Sequence, residues 1–279
     1  MQTRTLTLFV SLALSSASAF AEGIRLNDQD AFATARGNAF TATADNPSAL
    51  YYNPADITQL PGQQFRVGAY ALTYQTSYRS PAGAASESQR AYEAVPQLYY
   101  TCSLPQRPLS VGVGVYAPFG LSMKWPETTG FRSAALAGRV QYLTVQPVIA
   151  WEIFGGRSRR EEAHFNSERG GRNAEGKSEP PYVGSYHGPS LSLAVGPTLN
   201  YARTDLKQGL SPFAGNDQFH FKGDAFAPGV GAGLRWQPLE QHSFGVVYRS
   251  ATTMDFSGHT DSSSVTPAFS LRQDAKAKF

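Results

Sequence analysis

A period of two, held through segments longer than an ordinary sandwich strand, limits most what this chain can fold into. In residues 109–121 the odd positions Leu109, Val111, Val113, Val115, Ala117, Phe119 and Leu121 alternate with Ser110, Gly112, Gly114, Tyr116, Pro118 and Gly120. Successive strand side chains point to opposite faces, so such a segment has one apolar face. The pattern recurs at 97–104 (Leu98, Tyr100, Cys102, Leu104), 140–153 (Leu143, Val145, Ile149, Trp151, Ile153) and 191–206 (Leu191, Leu193, Val195, Leu199, Tyr201). It continues at 224–237 (Phe226, Val230, Leu234, Trp236) and 242–256 (Phe244, Val246, Tyr248, Met254, Phe256), and a less regular run at 63–78 brings the count to seven strands. Sandwich strands average about 5–6 residues, whereas a tilted strand crossing a bilayer needs about 9–11. The second faces carry Gly, Ser, Thr, Asn and Gln, which suits a polar lumen.

Connections alternate in length. Short ones at 105–108 and 238–241 separate long ones at 79–96, 122–139 and 207–223, the turn-and-loop asymmetry of an outer-membrane barrel. Trp151 and Trp236 fall at strand ends on the short-turn rim, as an interfacial girdle would. Cys102 shares the phase of Leu98 and Tyr100 and is expected to face lipid at mid-wall. No stretch after residue 21 approaches the roughly 18–20 apolar residues of a spanning helix, which excludes a polytopic helical membrane protein. The lone cysteine excludes an internal disulfide, a Cys-based zinc site and a CxxC pair. A net charge of +3 with scattered Lys and Arg gives no nucleic-acid footprint. Residues 1–21 have a basic start at Arg4, an apolar middle and Ala19-Phe20-Ala21, the pattern of a signal peptide cleaved after Ala21.

Residues 22–62 differ from the rest: too small and polar to fold alone, with helical character at 27–46 that Asn27 or Asp28 could cap. Two Asn-Pro pairs, Asn46-Pro47 and Asn53-Pro54, each force the Asn out of the helical region. Such a segment needs a container. The run ARGNAFTATADNPSALYYNPA (35–55) closely resembles the N-terminal hatch of the FadL/TodX family of outer-membrane transporters for long-chain fatty acids and other hydrophobic compounds. The resemblance continues through GVGVYAPFGLSMKWP (112–126), YLTVQPVIAW (142–151), LSLAVGPTLNYARTDLKQG (191–209), FAPGVGAGLRWQP (226–238) and FGVVYRS (244–250). It implies an all-β, antiparallel outer-membrane barrel of 14 strands plugged by the hatch, with residues 63–279 supplying about half of the wall. It also implies passive uptake: a hydrophobic ligand enters from outside and leaves sideways into the membrane where the third strand kinks.

On that resemblance Asn53, Pro54 and Ala55 are the hatch motif, with a purely rigid turn as the alternative. Pro118, Phe119 and Gly120 mark the third-strand kink, since Pro cannot donate to the ladder; alternatively Pro118 only starts an outer loop. Phe32, Phe40, Tyr51 and Tyr52 either line a ligand path or seat the plug. Arg132 and Arg139 are candidates for a ligand carboxylate by charge alone, or exposed loop arginines. The scattered histidines and the lack of G-x-S-x-G give no catalytic site, and no cofactor or metal is expected. GVGAG (229–233) lies within a strand, its odd glycines facing the lumen. The charged, Gly-rich stretch 155–188 reads as a disordered insert in a periplasmic turn. The expected partners are a hydrophobic small molecule and outer-membrane lipid, and the full-length form is expected to be a monomer. Seven strands cannot close a barrel, so the chain reads as a truncated fragment. A nonspecific porin or structural outer-membrane protein is the alternative reading, and an outer-membrane lipase the third.

Overall fold

The computed structural model describes residues 25–104, 107–155, 189–209, 218–262 and 269–279. The signal peptide expected at 1–21 and the insert expected at 155–188, except Gly155, lie outside the described residues.

The wall opens with β1 (Gln63–Tyr74). A small hairpin of β2 (Ser77–Arg79) and β3 (Ala85–Glu87) follows, then β4 (Ala91–Ser103), β5 (Leu109–Tyr116), β6 (Ser122–Lys124), β7 (Ala137–Phe154) and β8 (Ser190–Gly209). β9 (Gln218–Leu239), β10 (His242–Arg249), β11 (Thr253–Ser262) and β12 (Phe269–Lys278) complete it. The sheet runs β1-β4-β5-β7-β8-β9-β11-β12, with β6 joined to β7 and β10 to β9. Every ladder is antiparallel between successive passes. Among the described residues the wall has eight passes rather than the seven expected. The eighth is β12, in the stretch after Ser257 that reads from sequence as an outer loop and the beginning of a descending strand, and β4 begins at Ala91, inside what the spacing predicts as a loop. β1 pairs with β4 alone and β12 with β11 alone, so the described sheet is open.

The alternation sorts the two faces. On β7–β9 the outward residues Leu143, Ile149, Trp151, Leu193, Val195, Leu199, Tyr201, Phe226, Val230 and Trp236 are all substantially exposed. The opposite phase (Thr144, Gln146, Ser192, Asn200, Ala202) is buried. From Leu143 to Ile153 is about 33 Å of strand, which at a roughly 45° tilt covers the ~25 Å depth of an outer-membrane apolar band. Beyond it the same face turns polar. One cross-strand row reads Arg139-Asp205-Lys222-His259-Arg272 and the next Gln141-Arg203-Asp224-Ser257-Asp274. At the other edge Trp236 stacks on Phe244 at 5.5 Å, and Trp151 stands opposite Leu109 on the short-turn rim, as the girdle reading requires. Cys102 has the outward phase but pairs with Gln63, the first residue of β1, so it lies near the rim rather than at mid-wall.

Two strands break: the third, at the Pro118–Gly120 segment where a kink is expected, and the seventh pass, where none is. Across 117–121 the register against β7 moves by one residue, from Tyr116–Thr144 to Ser122–Arg139. Across 250–252 the register against β9 moves likewise, from Arg249–Gly231 to Ser257–Asp224. A one-residue slip reverses every side chain. Phe119, Met254 and Phe256, whose period assigns them to the lipid face, are instead buried in one cluster with Tyr142 and Ala202.

Candidate functional site

Residues 25–62 fill the space inside the wall, and their second half is fixed firmly. Helix α1 (Ala31–Ala35) is only one turn long. Its cap is Asp30, the second carboxylate of the Asp28–Asp30 pair that a helix cap explains from sequence, rather than Asn27: the Asp30 carboxylate accepts from the Phe32 and Ala33 amides at 3.0 and 3.1 Å and also pairs with Arg66 of β1. Asn38, at φ 60°, ends this turn; it donates to Asp28 at 2.8 Å and accepts from the Tyr52 hydroxyl at 3.1 Å. Helix α2 (Ala49–Tyr52) stops because Pro54 holds Asn53 extended (φ −155°, ψ 104°), and a 3-10 helix (Pro54–Gln59) starts at once.

Asn53 is fully buried and spans plug and wall, donating to the carbonyls of Thr41 at 2.7 Å and Leu234 of β9 at 3.1 Å. Three residues on, Asp56 accepts from the Ala44 amide at 3.0 Å and lies 3.5 Å from the Arg235 guanidinium, both side chains nearly sealed from solvent. Burial pushes the Asp56 carboxyl well above its ordinary value, with Arg235 opposing that shift. Thr58 meets Ser192 at 2.8 Å. Gly233, in the lumenal phase of GVGAG, stands where a Cβ would overlap Asn53 and Pro54, and Gly245 has the same relation to Thr41. Gly233 and Gly245 are therefore seats for the plug, whereas Gly229 and Gly231 leave room for the wall side chains Thr198 and Gln146.

The first half of the plug docks onto the third-strand break. The Leu26 amide donates to the Pro118 carbonyl at 2.8 Å and the Gln29 side chain to the Ala117 carbonyl at 2.9 Å. β4 grips the same segment through Tyr99 to the Gln29 carbonyl at 3.0 Å and Gln97 to the Asp28 carbonyl at 3.2 Å. The ladder between β4 and the third strand ends at Gln97–Tyr116, although β4 continues to Ala91. Beyond that rung Ser122 reaches Glu93, and Tyr74 bonds the Ser122 carbonyl at 2.6 Å. Gly120, at φ 137°, adopts a backbone only glycine takes easily, and a Cβ there would press on the Val140 carbonyl at 3.0 Å. Phe119 turns inward against Tyr142 at 5.1 Å and Phe279 at 5.3 Å.

The structure thus brings Asn53, Pro54 and Ala55 together at the plug–wall contact and sets Pro118, Phe119 and Gly120 at the break. Phe40, Tyr51 and Tyr52 are buried and meet edge-on in a chain, Phe40–Tyr52 at 5.3 Å and Tyr51–Tyr52 at 5.0 Å, while Phe32 is 42% exposed. Tyr51 also meets Tyr116 of the wall at 5.0 Å. Arg132 is neither an exposed loop residue nor part of this assembly: it is buried in the outer loop and donates to the Glu127 carbonyl at 3.1 Å. Arg139 pairs with Glu93 at 3.3 Å, at the outer end of the break. Sequence reasoning missed Leu26, Gln29, Asp56 and Arg235. For Arg235 a signal existed, since a charge follows Gly223, Ala225, Ala227, Gly229, Gly231 and Gly233 in the lumenal phase of β9.

Residues 12–277 match the family model described as outer membrane protein transport protein (OMPP1/FadL/TodX). The long-chain fatty acid transport protein of Escherichia coli O6:H1 is 24% identical over 264 residues, covering 92% of this chain and 56% of that protein. A Pseudomonas aeruginosa FadL homologue superimposes with a TM-score of 0.58 at 15% identity, covering 86% of this chain and 59% of its own. The P. putida toluene transporter TodX gives 0.54 at 16% identity, covering 84% and 58%. The chain therefore spans less than two thirds of the length of each of these relatives. With plug, wall and a match over most of its residues in agreement, the chain belongs to the OMPP1/FadL/TodX family of outer membrane transport proteins.

Proposed function

We propose that this chain supplies the plug and part of the wall of a passive transporter for hydrophobic small molecules, acting as a monomer in contact with outer-membrane lipid, and that the ligand leaves the lumen sideways through the break in the third strand. The observation that carries this reading is the capping of the Ala117 and Pro118 carbonyls by the plug residues Gln29 and Leu26. A break in a bilayer wall leaves polar backbone groups that must be paired; here the plug pairs them. Two such bonds are worth about 0.5–1.5 kcal/mol each, little enough for thermal release. Releasing them frees a path lined by Tyr116, Phe119 and Tyr142 that leads into hydrocarbon. An apolar ligand moves down that gradient without an energy source.

The test compares uptake of a long-chain fatty acid, a monoaromatic and a hydrophilic sugar by vesicles carrying the protein. Uptake of one of the apolar compounds without the sugar is expected, and equal entry of all three indicates an open, nonselective pore. In a Cys102→Ala background, Leu26→Cys with Phe119→Cys should form a reducible cross-link that stops uptake until reductant is added. Unchanged uptake in the cross-linked protein contradicts the sideways exit.

A further inference from the structure

The outward side of a barrel wall is convex, yet on β7–β10 it holds a groove of about 620 Å³, within the roughly 300–1,000 Å³ range of ligand sites. Two cross-strand rows make its sides. One reads Ile149-Val195-Ala232-Tyr248 and the next, toward the short-turn rim, Trp151-Leu193-Leu234-Val246. Between the rows Ala194 and Gly233 have the lumenal phase, so their backbone forms the floor, and Ala232 is the short member of the first row. The lining carries no charged group.

We propose that this groove holds one acyl chain of a phospholipid in the leaflet at the short-turn rim, a site that rests on the reading of this face as bilayer-facing. The groove begins beside Trp151, at headgroup level, and runs between the two rows across β8 and β9 toward Tyr248. Rows two residues apart are separated by about 7 Å, wide enough for a hydrocarbon chain but not for a helix of about 10 Å or the convex wall of a second copy. Within lipid the hydrophobic effect gives no preference between sites. Dispersion contact decides, and a grooved surface touches a chain on three sides where a convex wall touches it on one.

Trp fluorescence of the detergent-solubilised full chain, titrated with phosphatidylethanolamine carrying brominated acyl chains, tests the site. Saturable quenching at one lipid per chain is expected, with most of the saturable phase lost in Trp151→Phe, which removes the reporter that lines the groove, and all of it lost in Ala232→Phe, which fills the groove. Tyr248→Ala removes one side and should weaken the binding at least several-fold. The Ala232→Phe protein must still be quenched as strongly as wild type in bilayers made of the brominated lipid. Failure there contradicts the bilayer-facing assignment itself, whereas non-saturable quenching in the wild type, or saturation unchanged in Ala232→Phe, overturns the site alone. A change of oligomeric state in Ala232→Phe would assign the groove to self-association and also overturn the lipid site.

Discussion

Asn53 and Asp56 do most to decide where the plug sits. Asn53→Ala leaves the Thr41 and Leu234 carbonyls without their donor, at about 1–3 kcal/mol for each buried group. The expected result is reduced uptake of a hydrophobic ligand with the wall still assembled, judged by heat-modifiable mobility; loss of the assembled wall would place Asn53 in wall folding instead. The Asp56–Arg235 pair permits a double-mutant cycle, read as hydrogen-exchange protection of the plug. Arg235→Leu strands a buried carboxylate and should cost roughly 3–5 kcal/mol, while adding Asp56→Asn should recover most of that. The pH dependence has a definite sign. With the folded-state pKa of Asp56 raised, the stabilisation from its neutral form is complete below the ordinary carboxylate value and is lost as pH rises through the folded value. Plug protection in Arg235→Leu should therefore recover on acidification. The Asn-Pro signal of Asn53 is local and legible in sequence, whereas Arg235 and Asp56 meet only because β9 folds back over the plug.

Among the elements, the third strand is the informative one. Its apolar alternation runs on through Ala117, Phe119 and Leu121, so periodicity alone extends the strand to 121. The ladder stops at Tyr116 because Pro118 has no donor and Gly120 takes a left-handed backbone. Pro118 is therefore neither a mid-strand residue nor simply a loop start: pairing with β7 resumes at Ser122 one residue out of register. Gly120→Val must adopt φ 137° against the Val140 carbonyl and should cost about 1–3 kcal/mol, measurable as a lowered unfolding midpoint of the folded protein. The seventh pass breaks at 250–252 with no comparable sequence mark, which is why Met254 and Phe256 are misassigned by phase.

For the molecule as a whole, the membrane position follows from the boundary between Leu143-Tyr201-Phe226 and the polar rows above it. Val195→Arg, on the outward face near the middle of the apolar band, should destabilise the bilayer-folded protein by about 2–4 kcal/mol. Ser257→Arg, on the same face in the polar row beside Asp224 and Asp274, should stay within about 0.5 kcal/mol. Equal costs in denaturant titrations from bilayers would contradict the placement of the boundary. The sequence by itself determined the class of wall, its outward apolar phase on β7–β9, the placing of Trp151 and Trp236 at one rim and the separate character of residues 25–62, because strand alternation and Asn-Pro geometry are properties of neighbouring residues. Only the tertiary structure decided which plug atoms cap the broken strand, which charges meet across the lumen and which way Phe119, Met254 and Phe256 point. Those depend on register slips of a single residue and on contacts between distant segments, and a period of two is blind to both.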